Sequence, residues 1–347
     1  MHDVNKIVVF RLSSIGDIIL TTGLLRCLRN AFPNAQIDFI VKKQFADILT
    51  CVPFVSNVIE FDSKKGFSEL KLLRNKLKHE RYDVALDIHK NWRSKFVCYT
   101  IGAKQVYKFN KHVFRRWILT TFHKDIYKEV RPVYLRFIDV AKQLGVEPDG
   151  KYTELIVPDS VQAVVDSQFT QAGISFDKPI VALCPGASFS NKQWQIEKFG
   201  ELAKQIVDNL SIQVILLGGN KESEICDSIV ATSGAISFAG KFNLSQSIAA
   251  LNRVVATVAN DTGMLHASEA LGVPVVGIYG PTARQFGYFP ILPTSRVAQI
   301  DNLECRPCTK MGKNCCPKGH FKCMNDITVE MVMESVKKIM ISDTKKR

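Results

Sequence analysis

Short apolar runs rich in β-branched residues, each closed by a loop of small or polar residues and followed by a helical pattern, recur along this chain. KIVVFRL (residues 6–12) is the first, and SSIG breaks it before a helix that Asp17 opens and Pro33 stops. QIDFIV (36–41), NVIEF (57–61) and DVALDI (83–88) follow, with a lysine-rich helix between the last two. The alternation pauses at residues 145–158, which hold Gly145, Pro148, Gly150 and Pro158, and then restarts. PIVALC (179–184), QVILLGG (213–219), RVVATVA (253–259) and VPVVGIYG (273–280) are the strands of the second half, the last of them expected to end its sheet. Strand and helix in strict alternation call for parallel sheets with crossover helices, and the restart calls for two of them. The expected division is 1–152, 153–327, and a C-terminal helix and basic tail over 328–347. In that tail Val329, Val332, Val336 and Ile339 recur at helical spacing and should pack on a domain face.

A length of 347 residues with 46% hydrophobic content supplies two ordinary cores. The net charge of +13 is unevenly placed. Residues 1–150 hold 26 Lys+Arg against 15 Asp+Glu, and the remainder 20 against 18. The N-terminal half should therefore meet something anionic, whether nucleic acid, a membrane surface or a phosphorylated or carboxylated substrate. Residues 104–136 concentrate the effect, with nine Lys/Arg and two acidic residues interleaved with Tyr, Phe and Trp. Base stacking, contact with lipid headgroups and an amphipathic helix with its aromatics in the core all fit that composition.

The polar start (Met1 to Asn5) and the brief apolar run after it do not make a signal peptide, and no stretch is long enough to span a bilayer. A reducing, cytoplasmic setting with free thiols is expected for the ten cysteines. Five of them crowd into CRPCTKMGKNCCPKGHFKC: Cys305, Cys308, Cys315, Cys316 and Cys323. A CxxC pair with further thiols nearby suits tetrahedral zinc, but the spacing to the second group is irregular. A loop of reduced thiols is the expectation, a structural zinc the alternative.

Open parallel sheets bind ligands beyond the carboxyl ends of their strands. In the second half, four such ends carry suitable groups. GASFSNK offers Ser188 and Lys192; the next loop offers Gly218, Gly219 and Glu222; NDTG offers Asp261, Thr262 and Gly263, with His266 one turn on; the last offers Gly280 and Thr282. A helix N-terminus presents unpaired N–H groups and partial positive charge, which suits a diphosphate. Lys192 would neutralise phosphate, and Glu222 would accept from a ribose diol. Taken singly, Asp261 or Thr262 is equally an N-cap, Lys192 a surface lysine, Glu222 a first-turn acid and His266 a packing residue. In the first half Asp17, at a helix start, is either an N-terminal cap or an ionised general base. The loop before it has one glycine, so the GxGxxG of dinucleotide dehydrogenases is missing, as is a Walker lysine. No Asp-x-Asp occurs, which disfavours a metal bridging donor phosphates.

RLSSIGDIILTTGLLRCLRNAFPNAQIDFIV, CPGASFSNKQW, LLGGNKE, NDTGMLHASEALGVPVVGIYGPT and CRPC…CPKGHFKCM, in that order over nearly the whole chain, closely resemble glycosyltransferase family 9, the ADP-heptose:lipopolysaccharide heptosyltransferases. The resemblance implies a GT-B fold, an α/β arrangement of two Rossmann-like domains facing across a cleft. It implies inversion at the anomeric carbon by direct displacement, with no metal and no cofactor. It assigns Asp17 as catalytic base, Lys192 to the donor phosphates, and Asp261, Thr262, Gly263 and His266 to the diphosphate and sugar, with Glu222 near the ribose.

The implied partners are a nucleotide-sugar, an anionic lipid-linked saccharide acceptor and the inner face of the cytoplasmic membrane, with no nucleic acid. A relative using another nucleotide-sugar or surface glycan is one alternative, a basic zinc-containing nucleic-acid-binding protein another. The sequence departs from the family where GPT is followed by Ala283 and Arg284 instead of Asp-Pro.

Overall fold

The computed structural model describes residues 4–344, and the chain divides into two compact units. One comprises residues 1–112 and 131–156, the other 113–130 and 157–347. This differs from a single cut after residue 152. The segment 113–130, in the middle of the basic-aromatic stretch, belongs with the second unit. Arg116 Nη2 donates to the Phe286 carbonyl at 3.5 Å, and its guanidinium lies over the Phe286 and Tyr288 rings. Gln285 Nε2 donates to Asp125 at 2.8 Å. Such cation–aromatic pairs join residues some 170 positions apart, so local periodicity carries no trace of them. Counted over the two units, the net charge is +9 (23 Lys+Arg, 14 Asp+Glu) and +4 (23 and 19). The basic excess stays with the first.

The first unit holds a five-stranded parallel sheet of β1 (Lys6–Phe10), β2 (Gln36–Lys42), β3 (Asn57–Phe61), β4 (Val84–Asp87) and β5 (Gln105–Lys108). Their order is β3-β2-β1-β4-β5. β1 lies centrally, in register with β2 (Val8 opposite Asp38) and β4 (Val8 opposite Ala85). Its apolar run is buried because helices cover both faces. The helix expected to run on from Asp17 is broken at Thr21 into Ile15–Leu20 and Thr22–Ala31. Thr21 Oγ1 donates to the Asp17 carbonyl and Thr22 Oγ1 to that of Ile19, a back-bonding that bends helices. Gly23 lets the helix Val133–Ile138 close on the second piece; a Cβ there would sit 3.5 Å from Tyr134.

The second unit holds β6 (Ile180–Cys184), β7 (Gln213–Leu216), β8 (Ile236–Ser237), β9 (Ala256–Asn260), β10 (Val275–Ile278) and β11 (Arg296–Ala298). They are ordered β11-β10-β9-β6-β7-β8, all parallel. β10 was expected to be last, but β11 pairs beyond it, and β8 was not anticipated. Both are too short and too polar to show a strand period. Trp194 is wholly buried, edge-on to Phe199 with ring centres 5.0 Å apart, and its Nε1 donates to the Ile327 carbonyl. The C-terminal helix Val329–Thr344 joins this core through the four expected residues, Val329, Val332, Val336 and Ile339, and through Met333. Each such burial stabilises by about 1.5–3 kcal/mol.

In both units the order reverses beside the first strand, between β1 and β4 and between β6 and β9. There, successive crossovers leave for opposite faces and open a crevice at the strand ends.

Candidate active site

In the second unit, the four loops chosen from sequence follow β6, β7, β9 and β10, which are neighbours in one sheet. The β6 and β9 loops meet at the reversal point. Lys192 Nζ donates to Asp261 Oδ2 at 2.6 Å, and Thr282 Oγ1, from the β10 loop, donates to the same oxygen at 3.1 Å. The lysine and aspartate side chains are only 12% and 10% exposed, so a largely shielded anion clamps the cation in one orientation. Asn260, fully buried at the end of β9, sets the loop spacing. Its Nδ2 donates to the Pro185 carbonyl at 2.7 Å, and its Oδ1 accepts from Trp194 N. The sequence reading passed over Asn260 as a turn residue. An asparagine closing an apolar strand directly before the Asp-Thr-Gly turn was the available signal, though its burial was not.

Thr262, not Asp261, stands at the N-cap of the helix Gly263–Ala270. Its side chain does not cap. The hydroxyl is buried and has no hydrogen-bond partner among the described residues. A buried hydroxyl left in that state costs about 1–3 kcal/mol, and here it lies beside the first N–H groups of a helix. Gly263 begins that helix, and His266 is buried one turn in, with Tyr288 its ring neighbour at 6.3 Å.

Glu222 is held by its own loop. Gly219 N donates to its Oε2 at 2.9 Å. A Cβ added to Gly186 or Gly218 would come within 2.8 and 2.7 Å of the Glu222 side chain, so both glycines admit this carboxylate against the backbone. Ser188 is exposed. Gly280 faces inward instead, for a Cβ there would meet Met324 Sδ at 2.3 Å. Its lack of a side chain serves packing.

The cysteine-rich segment braces these loops. Arg306 Nη2 donates to the Thr282 carbonyl, Lys313 N to Asn191 Oδ1, and Asn191 N to the Lys313 carbonyl. Gly312 packs against Phe189. All ten cysteines are unpaired thiols. Burial pushes Cys323 up to about 11, whereas backbone N–H groups of residues 318–321 outweigh burial at Cys316 and lower it. Among the described residues no three His, Cys, Asp or Glu side chains gather as a metal site requires.

In the first unit, Asp17 lies just beyond β1, near its reversal point. Arg11 Nη2 approaches its Oδ2 at 2.5 Å, and Ser14 donates to the same oxygen from Oγ at 3.0 Å and from N at 3.4 Å. Burial acts to raise this carboxyl, but the Arg11 charge and the Ser14 bonds outweigh it and hold it below the usual value. Asp17 therefore completes the cap of helix Ile15–Leu20, whose N-cap is Ser14, and stays ionised. Arg11 was not anticipated, although a cation directly after an apolar strand is a visible signal. It is buried, its Nη1 donating to the Ile88 carbonyl beyond β4. His89 follows Ile88, and burial with the Arg11 and Lys111 charges lowers it to about 3, so it is neutral at ordinary pH. The ends of β2 and β3 border a recess lined by Lys42, Lys43 and Lys64 together with Gln44, Phe61, Asp62 and Ser63.

The family model for glycosyltransferase family 9 (heptosyltransferase) matches residues 70–318. Lipopolysaccharide heptosyltransferase 2 of Escherichia coli (strain K12) is 26% identical over 356 residues, covering 97% of this chain and 99% of its own. The solved structure of E. coli ADP-heptose lps heptosyltransferase II superposes with a TM-score of 0.77 at 25% identity, covering 98% and 99%. That of the glycosyl transferase family 9 from Veillonella parvula DSM 2008 gives 0.82 at 23% identity, covering 99% of both.

Proposed function

The chain belongs to glycosyltransferase family 9, a glycosyltransferase of the heptosyltransferase type, and from that premise we propose that it moves heptose from ADP-heptose onto the inner core of lipopolysaccharide. The donor diphosphate binds at the N-terminus of Gly263–Ala270. Its charge is met by Lys192, by the first helix N–H groups and by the Thr262 hydroxyl, with no metal. The observation that carries this reading is the Thr262 hydroxyl, buried and unpartnered at the reversal point beside a clamped lysine. An anionic oxygen placed there satisfies a donor that the protein leaves unsatisfied.

Asp17 acts as general base. It takes the proton of the acceptor hydroxyl as that oxygen attacks the anomeric carbon. The bond from that carbon to the diphosphate breaks on the opposite side, so configuration inverts and ADP leaves with its charge held by Lys192. A carboxylate held below its usual value is a weak resting base, suited to a hydroxyl that becomes acidic only as its oxygen bonds to carbon. The lysine-bordered recess beyond β2 and β3, and the +9 of the first unit, suit a phosphorylated, lipid-linked acceptor. No helix among the described residues is long and apolar enough to cross a membrane. We place the enzyme in the cytoplasm, meeting its acceptor at the inner membrane face.

Product analysis with ADP-heptose and a defined inner-core acceptor tests this. Transfer with inversion in the presence of a chelator is expected. Turnover with a UDP- or GDP-sugar in place of ADP-heptose overturns the donor assignment, and loss of transfer on chelation overturns the metal-free mechanism.

A further inference from the structure

The helix Val113–Phe122 faces the wrong way for an ordinary surface helix. Val113, Phe114, Trp117, Ile118, Thr121 and Phe122 fall at i, i+1, i+4, i+5, i+8 and i+9, which is one face. That face points outward: Val113 is 61% exposed, Phe114 66%, Trp117 43% and Phe122 62%. It carries no charge. The opposite face holds Arg115, Arg116, Leu119 and Thr120. Leu119 is buried, Arg116 lies over Phe286 and Tyr288, and Arg115 lies over Tyr127. A soluble surface helix turns its apolar stripe inward and its charges out; this one does the reverse. Its rings form one ridge, with Phe114 and Trp117 centred 6.1 Å apart and Trp117 and Phe122 5.3 Å apart.

We propose that this helix docks the protein on an anionic lipid bilayer, lying in the interface plane with its aromatic ridge among the upper acyl chains. Charge selects that occupant. Within the helix's own unit, residues 113–130 hold Arg115, Arg116, Lys124 and Lys128 against Asp125 and Glu129, and Lys124 and Lys128 follow the helix, exposed. A second copy of the chain would bring the same cations against them, whereas anionic headgroups complement them. Aromatic side chains, Trp above all, favour the boundary between headgroups and acyl chains. At ten residues the helix is too short to span and of a length to lie flat. The inference deepens the proposed function, on which it rests only for the lipid-linked acceptor that docking would bring within reach.

The test uses the full chain and two vesicle types, phosphatidylethanolamine with 30% phosphatidylglycerol, and phosphatidylcholine alone. Co-flotation with the first and not the second is expected. The triple variant Phe114→Ser, Trp117→Ser, Phe122→Ser should bind at least tenfold more weakly while keeping its melting temperature and ADP affinity, because the removed rings face solvent. Trp92→Phe leaves Trp117 and the buried Trp194 as reporters, and brominated lipids should still quench its fluorescence. Three results overturn the proposal. One is equal flotation of the triple variant. Another is quenching that disappears in Trp92→Phe, which moves contact to the Phe67–Trp92 patch. The third is a lipid-free dimer, seen by sedimentation, that the triple variant abolishes. Flotation needs neither donor nor acceptor, so failed heptosyl transfer leaves this result standing, and failed flotation leaves transfer standing.

Discussion

The two sheets share an order, since β3-β2-β1-β4-β5 recurs as β8-β7-β6-β9-β10, with β11 added. They equip the same crevice differently. In the first unit the reversal point holds an anion: Asp17, fixed by the buried Arg11 and by Ser14. In the second it holds a cation, Lys192, fixed by Asp261, beside the Thr262 hydroxyl that has no partner among the described residues. Each reactive charge is oriented by an opposite charge from the neighbouring loop or strand end. The backbone geometry is thus common to both, and the proposed division of labour follows the sign of the less buried member of each pair, Asp17 in one and Lys192 in the other. The anionic end suits proton removal, and the cationic end suits a departing diphosphate.

That contrast can be broken by substitution. Asp17→Ala should lower kcat by roughly 10³ while ADP affinity, read by calorimetry, stays unchanged; a fall in ADP affinity would erase the division of labour. Lys192→Ala should do the converse, weakening ADP by about 10- to 100-fold, as expected for loss of a charge-assisted contact. Thr262→Val keeps shape and removes only the hydroxyl. ADP affinity should fall about 3- to 10-fold, with no loss of melting temperature, because that hydroxyl bonds to none of the described residues. A drop in melting temperature would make Thr262 structural.

The pH profile sharpens the same point. The Asp17 carboxyl is held below its usual value, so kcat/KM should keep its level as pH falls to the ordinary carboxylate range and decline only below it. A limb between pH 6 and 7 would remove Asp17 as the base, and His89, lowered to about 3, would not supply that limb.

The smallest effect concerns Asp87, fully buried at the end of β4, where burial raises its carboxyl despite a bond from Lys90 N. A folded-state value above the unfolded one means the native protein holds this proton more tightly. Stability is then lost as pH rises through the folded value. Asp87→Asn should therefore raise the melting temperature at pH 8 and leave it nearly unchanged at pH 4.

The fold was largely legible because parallel strands buried on both faces must be continuous apolar runs, and those runs are plain at 6–12, 36–41, 179–184 and 213–219. The loops that carry Asp17, Lys192, Asp261 and Thr262 were legible for the related reason that chemistry in such sheets collects after the strands. β8 and β11 were not, since two or three residues cannot show a period. Arg11 and Asn260 were overlooked because what makes them matter, a buried partner on another loop, is not a local property.

By itself, then, the chain of residues determined the two parallel sheets, the location of the candidate loops at strand ends and the uneven charge, all of which follow from short-range pattern and composition. Only the tertiary structure decided that residues 113–130 join the second unit, that Lys192 is clamped by Asp261, that Thr262 stands at the N-cap position of its helix with its side chain not capping, and that the cysteine-rich segment braces the loops after β6 and β10. Those features depend on contacts between residues far apart in sequence, where burial and pairing, absent from any local window, set which side chain meets which.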